Sequence, residues 1–273
     1  MSSSLRVYHS PSLPSGKREN ADLQRAIVFI IFKEVALYAA VREQKVRKVI
    51  IWLARFGFST RLVLTKMLGT SYNGQNEFFK RLIDDGLVER RYVTGTSKQL
   101  FTLTSAGVNL YKIIEPNLSI KRVPKISLPT LIHSMTIQEF VISNNAAESV
   151  VGEYELYKQD WLRRPDAVIT NTKGTKIAIE VELTKKSSAR VIYNFCNHFE
   201  DFKKGFFDRV LYLFPDDGIQ KFYQDIYSDT SWPHVVYDEK KRSYKKISGS
   251  QFDPNEIHES EIFIFNRFSP STL

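Results

Sequence analysis

Cysteine is almost missing from this chain. Only Cys196 carries a thiol among its 273 residues, so an internal disulfide and the usual thiolate-rich zinc sites are excluded. Long apolar runs are missing too: the stretch 26–32 is followed at once by Lys33 and Glu34, and such a segment is far too short to cross a bilayer. These absences predict a protein of a reducing compartment, the cytoplasm, with no membrane span.

The first residues also lack the apolar core of a signal peptide. Residues 1–22 are rich in serine, proline and charged side chains, a composition typical of disorder. A chain of 273 residues is long enough for two hydrophobic cores. We therefore expect a disordered tail over 1–22, a winged-helix domain over 23–125 and a nuclease-like domain over 126–273, for the reasons that follow.

The formal net charge is +9, and the excess of basic residues lies in one half of the chain. Residues 1–125 hold 21 Lys and Arg against 9 Asp and Glu, whereas residues 126–273 hold 18 against 21. A basic half joined to a slightly acidic half is typical of a DNA-binding module attached to a metal-binding one. A basic surface without a partner is the alternative.

The first half follows the order of a winged helix-turn-helix. Apolar residues recur with helical spacing over 46–56, and further helices are predicted over 61–68 and 72–85, each followed or closed by a glycine. Two β-prone segments, 87–93 and 98–103, then flank the turn Thr94-Gly95-Thr96-Ser97. Three helices and a two-stranded wing are therefore expected.

The third predicted helix carries side chains suited to a DNA groove. Its apolar face, Phe78, Phe79, Leu82 and Ile83, is expected to be buried, while Asn and Gln on the other face can pair bidentately with adenine. Cations on the wing are expected to meet phosphates. The predicted DNA-contacting residues are Tyr72, Asn73, Gln75, Asn76, Lys80, Arg90, Arg91 and Lys98. A dimerisation module of the same fold is the alternative.

The second half centres on an acidic β-hairpin. Residues 167–170 are β-prone, Asn171-Thr172-Lys173-Gly174 is turn-forming, and 176–184 alternates apolar and polar side chains. The alternation places Glu180 and Glu182 on one strand face, with Asp166 at the mouth of the hairpin. Carboxylates this close require a cation between them, and their oxygens are ligands that Mg²⁺ or Mn²⁺ accepts. A solvated strand face is the plain alternative.

This hairpin resembles the PD-(D/E)xK nuclease core, in which acids on adjacent strands bind Mg²⁺ and a lysine positions the attacking water. The elements predicted around it are helices over 128–144, 187–202 and 217–226, and strands over 150–157, 209–214, 235–237 and 262–265. The expected fold class is therefore α+β or α/β, with an N-terminal winged helix-turn-helix joined to a restriction-endonuclease-like mixed-sheet domain.

One departure from the nuclease pattern affects the interpretation. Glu182 stands where such nucleases carry lysine, and lysines appear instead at Lys185 and Lys186. Two explanations remain open at this point. Either a migrated lysine reaches back to the site, or the site is degenerate.

The combination of motifs resembles one group more closely. A winged helix, a helix histidine, Arg-Pro-Asp-Ala and Glu-x-Glu-x-x-x-Lys-Ser occur in this order in the chain, and the order is similar to that of MobC-class plasmid relaxases and the related replication-relaxation proteins. The resemblance implies a metal-dependent, site- and strand-specific endonuclease that nicks double-stranded DNA at an origin of transfer. Other relaxosome or coupling proteins would be its partners.

On this resemblance the catalytic residues would be Asp166, Glu180, Glu182, Lys186 and His133, and the first three would bind Mg²⁺ or Mn²⁺. Water is the expected nucleophile, with Tyr193 as the alternative nearest in sequence. Two other functions compete with the relaxase. One is a non-catalytic DNA-binding regulator of plasmid replication or transcription, and the other is a restriction or transposition endonuclease that cuts both strands.

Overall fold

The computed structural model describes residues 39–93, 96, 98–116, 120, 126–146 and 149–270. The predicted tail over 1–22 lies outside the described residues, as do residues 121–125, where the predicted domain boundary falls. Contacts group residues 47–273 into one compact unit, and the described residues before it are helical. In the described ranges, no helix is both long and apolar enough to cross a membrane.

The predicted winged helix is confirmed. Its elements are helix α1 (39–56), α2 (Arg61–Met67), a 3-10 turn (Asn73–Gln75), α3 (Asn76–Asp84), the wing strands β1 (Val88–Tyr92) and β2 (Gln99–Leu103), and α4 (Ser105–Ile114). The wing strands are antiparallel, with Arg90 opposite Phe101. The third helix differs from the prediction at its start, which is a 3-10 turn containing Gly74; glycine disfavours α-helix, and 3-10 turns are frequent at helix ends.

Local signals in the sequence account for these boundaries. The Thr60 side chain accepts a hydrogen bond from the N–H of Val63 and caps α2. The Thr104 side chain caps α4 in the same way by accepting from the N–H of Gly107. A Cβ at Gly107 would lie 2.1 Å from the carbonyl oxygen of Leu87, so only glycine allows α4 to start against the entry to the wing.

The second half is a five-stranded mixed sheet with helices. Its elements are α5 (Leu128–Ser143), β3 (Val151–Gly152), β4 (Ala167–Thr170), β5 (Lys176–Val181), α6 (Ser188–Lys203), β6 (Arg209–Phe214), α7 (Asp217–Ser228), β7 (Trp232–Asp238), β8 (Ser243–Phe252), α8 (Asn255–Ser260) and β9 (Phe263–Arg267). The sheet order is β3-β4-β5-β6-β9. Strands β3, β4 and β5 pair antiparallel, and β5, β6 and β9 pair parallel. The expected α+β architecture is therefore present.

Two predicted strands differ from those observed. The strand expected over 150–157 is only Val151–Gly152, because the chain turns at once: the Glu155 carboxylate accepts a hydrogen bond from the N–H of Gly152 at 2.8 Å. The late strand expected over 235–237 is longer and pairs with β8, which the sequence did not predict. Strands β7 and β8 form a two-stranded sheet of their own.

Helix α5 joins the winged helix to the sheet. Its Gln138 is fully buried, and its side-chain oxygen accepts from Trp52 Nε1 at 2.9 Å and from Ser59 Oγ at 2.7 Å. The amide nitrogen of Gln138 donates to the carbonyl of Phe58 at 2.9 Å. Near the edge strand, Arg55 pairs with Glu155 at 3.2 Å. Buried polar groups of this kind require their partners, so the two halves depend on each other for satisfied hydrogen bonds.

Candidate functional site

The acidic residues singled out in the sequence lie beside the end of strand β5. Asp166 directly precedes β4, and its N–H donates to the carbonyl of Ile179 on β5. Glu180 lies on β5, in register with Tyr212 of β6, and Glu182 follows the end of β5. Helix α5, which carries His133, packs against β5. The strand order therefore brings the carboxylates of the predicted site to one part of the sheet.

Two basic side chains, those of Arg163 and His198, lie against Glu180. It is 1% exposed, its Oε2 accepts from Arg163 Nη2 at 2.8 Å, and His198 Nε2 lies 3.1 Å from its Oε1. Burial alone would raise the pKa of Glu180, but Arg163 and His198 outweigh burial and lower the pKa below its ordinary value. Glu180 is therefore a buried carboxylate whose charge is compensated by protein groups.

Asp166 and His133 form a second pair. His133 Nε2 lies 3.1 Å from Asp166 Oδ2, which also accepts a hydrogen bond from the N–H of Val181 at 2.8 Å. Burial would lower the pKa of His133, but the hydrogen bond and the charge of Asp166 raise it above its ordinary value. Both side chains keep partial access to solvent, with 33% and 19% of their surface exposed. This pair can donate or accept a proton at the surface of the sheet.

Glu182 has the opposite electrostatic environment to Glu180. It is 3% exposed, and Lys186 Nζ lies 3.7 Å from its Oε2. Burial, and to a lesser extent the negative charge of Glu180, raise the pKa of Glu182 to about 7. The positive charge of Lys186 opposes this shift. One carboxylate of the predicted pair is thus held ionised, and its neighbour can take up a proton near neutral pH.

The arrangement does not fit a divalent metal ion. A hard cation requires several free carboxylate oxygens, whereas both oxygens of Glu180 face Arg163 and His198, and Oδ2 of Asp166 faces His133. Among the described residues, no group of three or more His, Cys, Asp and Glu side chains is placed to hold a metal. Arg163 places a guanidinium group 2.8 Å from Glu180 Oε2.

The two lysines that follow the acidic pair, Lys185 and Lys186, have different surroundings. Lys186 lies beside Glu182 and donates to Thr184 Oγ1 at 3.2 Å. The ammonium group of Lys185 lies 5.6 Å above the ring of Phe222 on α7. The alternative nucleophile, Tyr193, packs against Tyr244, with ring centroids 5.2 Å apart. Of the two adjacent lysines, Lys186 is therefore the one that contacts the acidic residues.

Two residues of this cluster were not singled out in the sequence. Arg163 stands three positions before Asp166, in Arg163-Arg164-Pro165-Asp166, and its position beside that motif was the available signal. His198 lies on the buried face of α6 between Phe195 and Phe199, where a titratable side chain requires a polar partner. That partner is 18 positions away in sequence, on β5, and no spacing rule indicates it.

The predicted DNA-contacting residues lie on the third helix, the turn before it and the wing. Tyr72, Asn73, Asn76, Lys80, Arg90 and Lys98 are exposed, and Gln75 and Arg91 are half-buried. Several of these residues contact other side chains: Asn76 Oδ1 accepts from Arg61, whose guanidinium also lies 4.5 Å above the Tyr72 ring, and Arg91 pairs with Glu89 at 2.7 Å. On the opposite face of α3, Phe79 and Leu82 are buried as predicted, and Phe78 and Ile83 are half-buried.

Comparison with known proteins gives distant matches to solved structures. No protein-family model matches the sequence, and no curated protein matches it significantly. Among solved structures, apo ZitR of Lactococcus lactis is 18% identical over 34% of this chain and 70% of that chain, with a TM-score of 0.24. NadR in complex with 4-hydroxyphenylacetate is 17% identical over 40% of this chain and 77% of that chain, with a TM-score of 0.25.

A third match is AbfR bound to DNA in its overoxidized form. It is 23% identical over 36% of this chain and 79% of that chain, with a TM-score of 0.23. These neighbours are winged-helix proteins of the MarR type, and each match covers less than half of this chain. Identities and scores this low assign no family, so the winged helix of this chain is identified from its own elements.

Proposed function

We propose that this protein is a non-catalytic DNA-binding regulator, which uses its winged helix to bind double-stranded DNA and control replication or transcription. The acidic cluster of the sheet then serves stability and not metal-dependent cleavage. The observation that carries this proposal is the pairing of Glu180: its oxygens face Arg163 and His198, with 1% of the residue exposed. Breaking such a buried pair by removing one partner is strongly destabilising, as expected for a carboxylate that supports the fold.

The DNA-binding part of the proposal rests on the two faces of the third helix. Phe79 and Leu82 pack inward, so α3 presents Lys80 to solvent, and Asn73 is exposed in the 3-10 turn that precedes α3. A helix of this kind lies in the major groove, where amide side chains read adenine and cations meet phosphates. Arg90 on β1 is also exposed and adds a cation on the wing.

Fluorescence anisotropy with a labelled duplex tests this assignment. The double variant Lys80→Ala/Arg90→Ala loses two phosphate contacts, so the slope of log affinity against log salt should fall by about 2. Asn73→Ala should change the preference among duplex sequences more than the salt dependence, by about 1–3 kcal/mol. The matched control is Lys203→Ala/Lys221→Ala, which removes two exposed lysines of α6 and α7. Equal slopes for the winged-helix variant and the wild type would exclude this surface as the binding site.

The second candidate function is metal-dependent nicking of DNA, as the family resemblance implies. What favours it is the proximity of a surface His133–Asp166 pair and a Glu182–Lys186 pair at the end of one strand. Metal binding by Glu180 would require Arg163 to leave its carboxylate. Incubation with supercoiled plasmid and Mg²⁺ or Mn²⁺ separates the two functions. We expect no open circles. Metal-dependent nicking that Asp166→Ala abolishes would replace the regulator by the nickase.

A further inference from the structure

The β7–β8 hairpin concentrates positive charge in the acidic half of the chain. Its tip, residues 238–246, contains five cations against Asp238 and Glu239. Without these nine residues, 126–273 hold 13 Lys and Arg against 19 Asp and Glu. The cations are Lys240, Lys241, Arg242, Lys245 and Lys246, and all five are exposed. A cluster of like charges this dense repels itself, and this repulsion is relieved when an anion binds.

Few of these cations are neutralised by the protein. Lys245 pairs with Asp238 at 2.8 Å, and the other four have no acidic partner within the described ranges. Lysines on the edge of a sheet can also serve only to prevent aggregation. That explanation does not apply to Lys240, Lys241 and Arg242, because these residues lie in the connection between the strands, where no strand edge is exposed.

The hairpin is also held firmly in place. At its base, Trp232 is fully buried and its Nε1 donates to the carbonyl of Ile226 at 3.0 Å. Further along, Tyr237 and Tyr244 stand opposite each other, with centroids 5.0 Å apart, and Tyr244 packs on Tyr193 of α6. A backbone ribbon anchored in this way loses less conformational freedom on binding than a mobile loop does.

We propose that the β7–β8 hairpin is a second DNA-contacting element, whose tip cations bind phosphates of the duplex held by the winged helix. The proposal rests on the DNA binding proposed above and extends it into the half of the chain that is otherwise acidic. A two-stranded ribbon is narrow enough to lie along or within a DNA groove. Arg190 on α6, whose guanidinium lies 5.8 Å from the Tyr244 ring, adds a further cation beside the hairpin.

The test uses the full chain and a labelled duplex of arbitrary sequence. The hairpin variant is Lys240→Ala/Lys241→Ala/Arg242→Ala, and the control is Lys173→Ala/Lys203→Ala/Lys221→Ala, which removes the same charge from exposed lysines elsewhere. Three phosphate contacts contribute about 2.7 to the salt slope, so the wild type should lose about 40-fold more affinity than the hairpin variant between about 50 and 200 mM salt. The control should behave like the wild type.

Each outcome has a definite meaning. A hairpin variant with the wild-type slope would overturn the second contact while leaving the winged-helix proposal standing. A control variant with the same reduced slope would also overturn the second contact, because the effect would then come from net charge alone. If the wild type does not bind the duplex, the proposed function and this inference both fail. Because the three substituted residues are exposed, unchanged thermal unfolding of the variant serves as the folding control.

Discussion

Replacing Glu182 by glutamine should stabilise the protein by an amount that grows as the pH rises from about 4.5 through about 7. Burial and the charge of Glu180 raise the pKa of Glu182 from its ordinary 4.5 to about 7. A carboxyl with a raised folded pKa contributes its full stability below pH 4.5, and that contribution is lost as the pH rises through about 7. Glutamine keeps the shape of the side chain and cannot ionise, so the variant avoids this loss.

The magnitude follows from the shift. One pKa unit corresponds to about 1.36 kcal/mol, so the shift of Glu182 corresponds to about 3 kcal/mol at pH above both values. Glu182→Gln should therefore unfold with nearly the wild-type free energy at about pH 4.5, and should be about 3 kcal/mol more stable at about pH 8. The pKa of His133 is raised by Asp166, Glu180 and Glu153 against the effect of burial, so the contribution of His133 is expected to cancel in the difference.

Urea unfolding followed by tryptophan fluorescence at both pH values measures this difference. Glu256→Gln serves as the control, because it removes a carboxylate from an exposed position on α8 and should give no pH-dependent change. A variant that is equally stable to the wild type at pH 8, or less stable, would refute the reasoning: the carboxylate would then be fully compensated by Lys186, which lies 3.7 Å away.

Two further predictions concern buried partners. Arg163→Met removes the cation that lies 2.8 Å from the buried Glu180 and leaves His198 as its remaining basic neighbour, so the change should cost about 3–5 kcal/mol in urea unfolding. Adding Glu180→Gln should restore most of that loss, and no recovery would show that the pair is not the cause. Gln138→Leu leaves the donors of Trp52 and Ser59 unsatisfied and should cost about 1–3 kcal/mol for each. Gln224→Leu, at an exposed position of α7, should be nearly neutral, and equal costs for the two glutamine variants would contradict this account.

The sequence determined the elements that local signals encode. Helical spacing and closing glycines predicted the winged helix, and α6 and β6 were predicted within one or two residues of their observed bounds. Strict alternation over 176–184 predicted that Glu180 and Glu182 would share a face. These features depend on residues that are close in sequence, and residue periodicity records such contacts directly.

Strand β8 was not predicted, because its sequence carries no local signal of a strand. Its residues, such as Lys245, Lys246 and Gly249, do not alternate between apolar and polar, because the hairpin has no buried core face along most of its length. Its strand conformation comes from pairing with β7, and pairing leaves little trace in the sequence of an exposed strand.

Only the tertiary structure decided what surrounds the acidic residues. Alternation shows which side of the sheet a carboxylate faces, but it does not show which side chains cover that side. Arg163 and His198 reach Glu180 from a loop and from α6, and His133 reaches Asp166 from α5. Long-range packing, and not local spacing, chose the partners of each charge, because the contacting side chains come from segments that are distant in sequence.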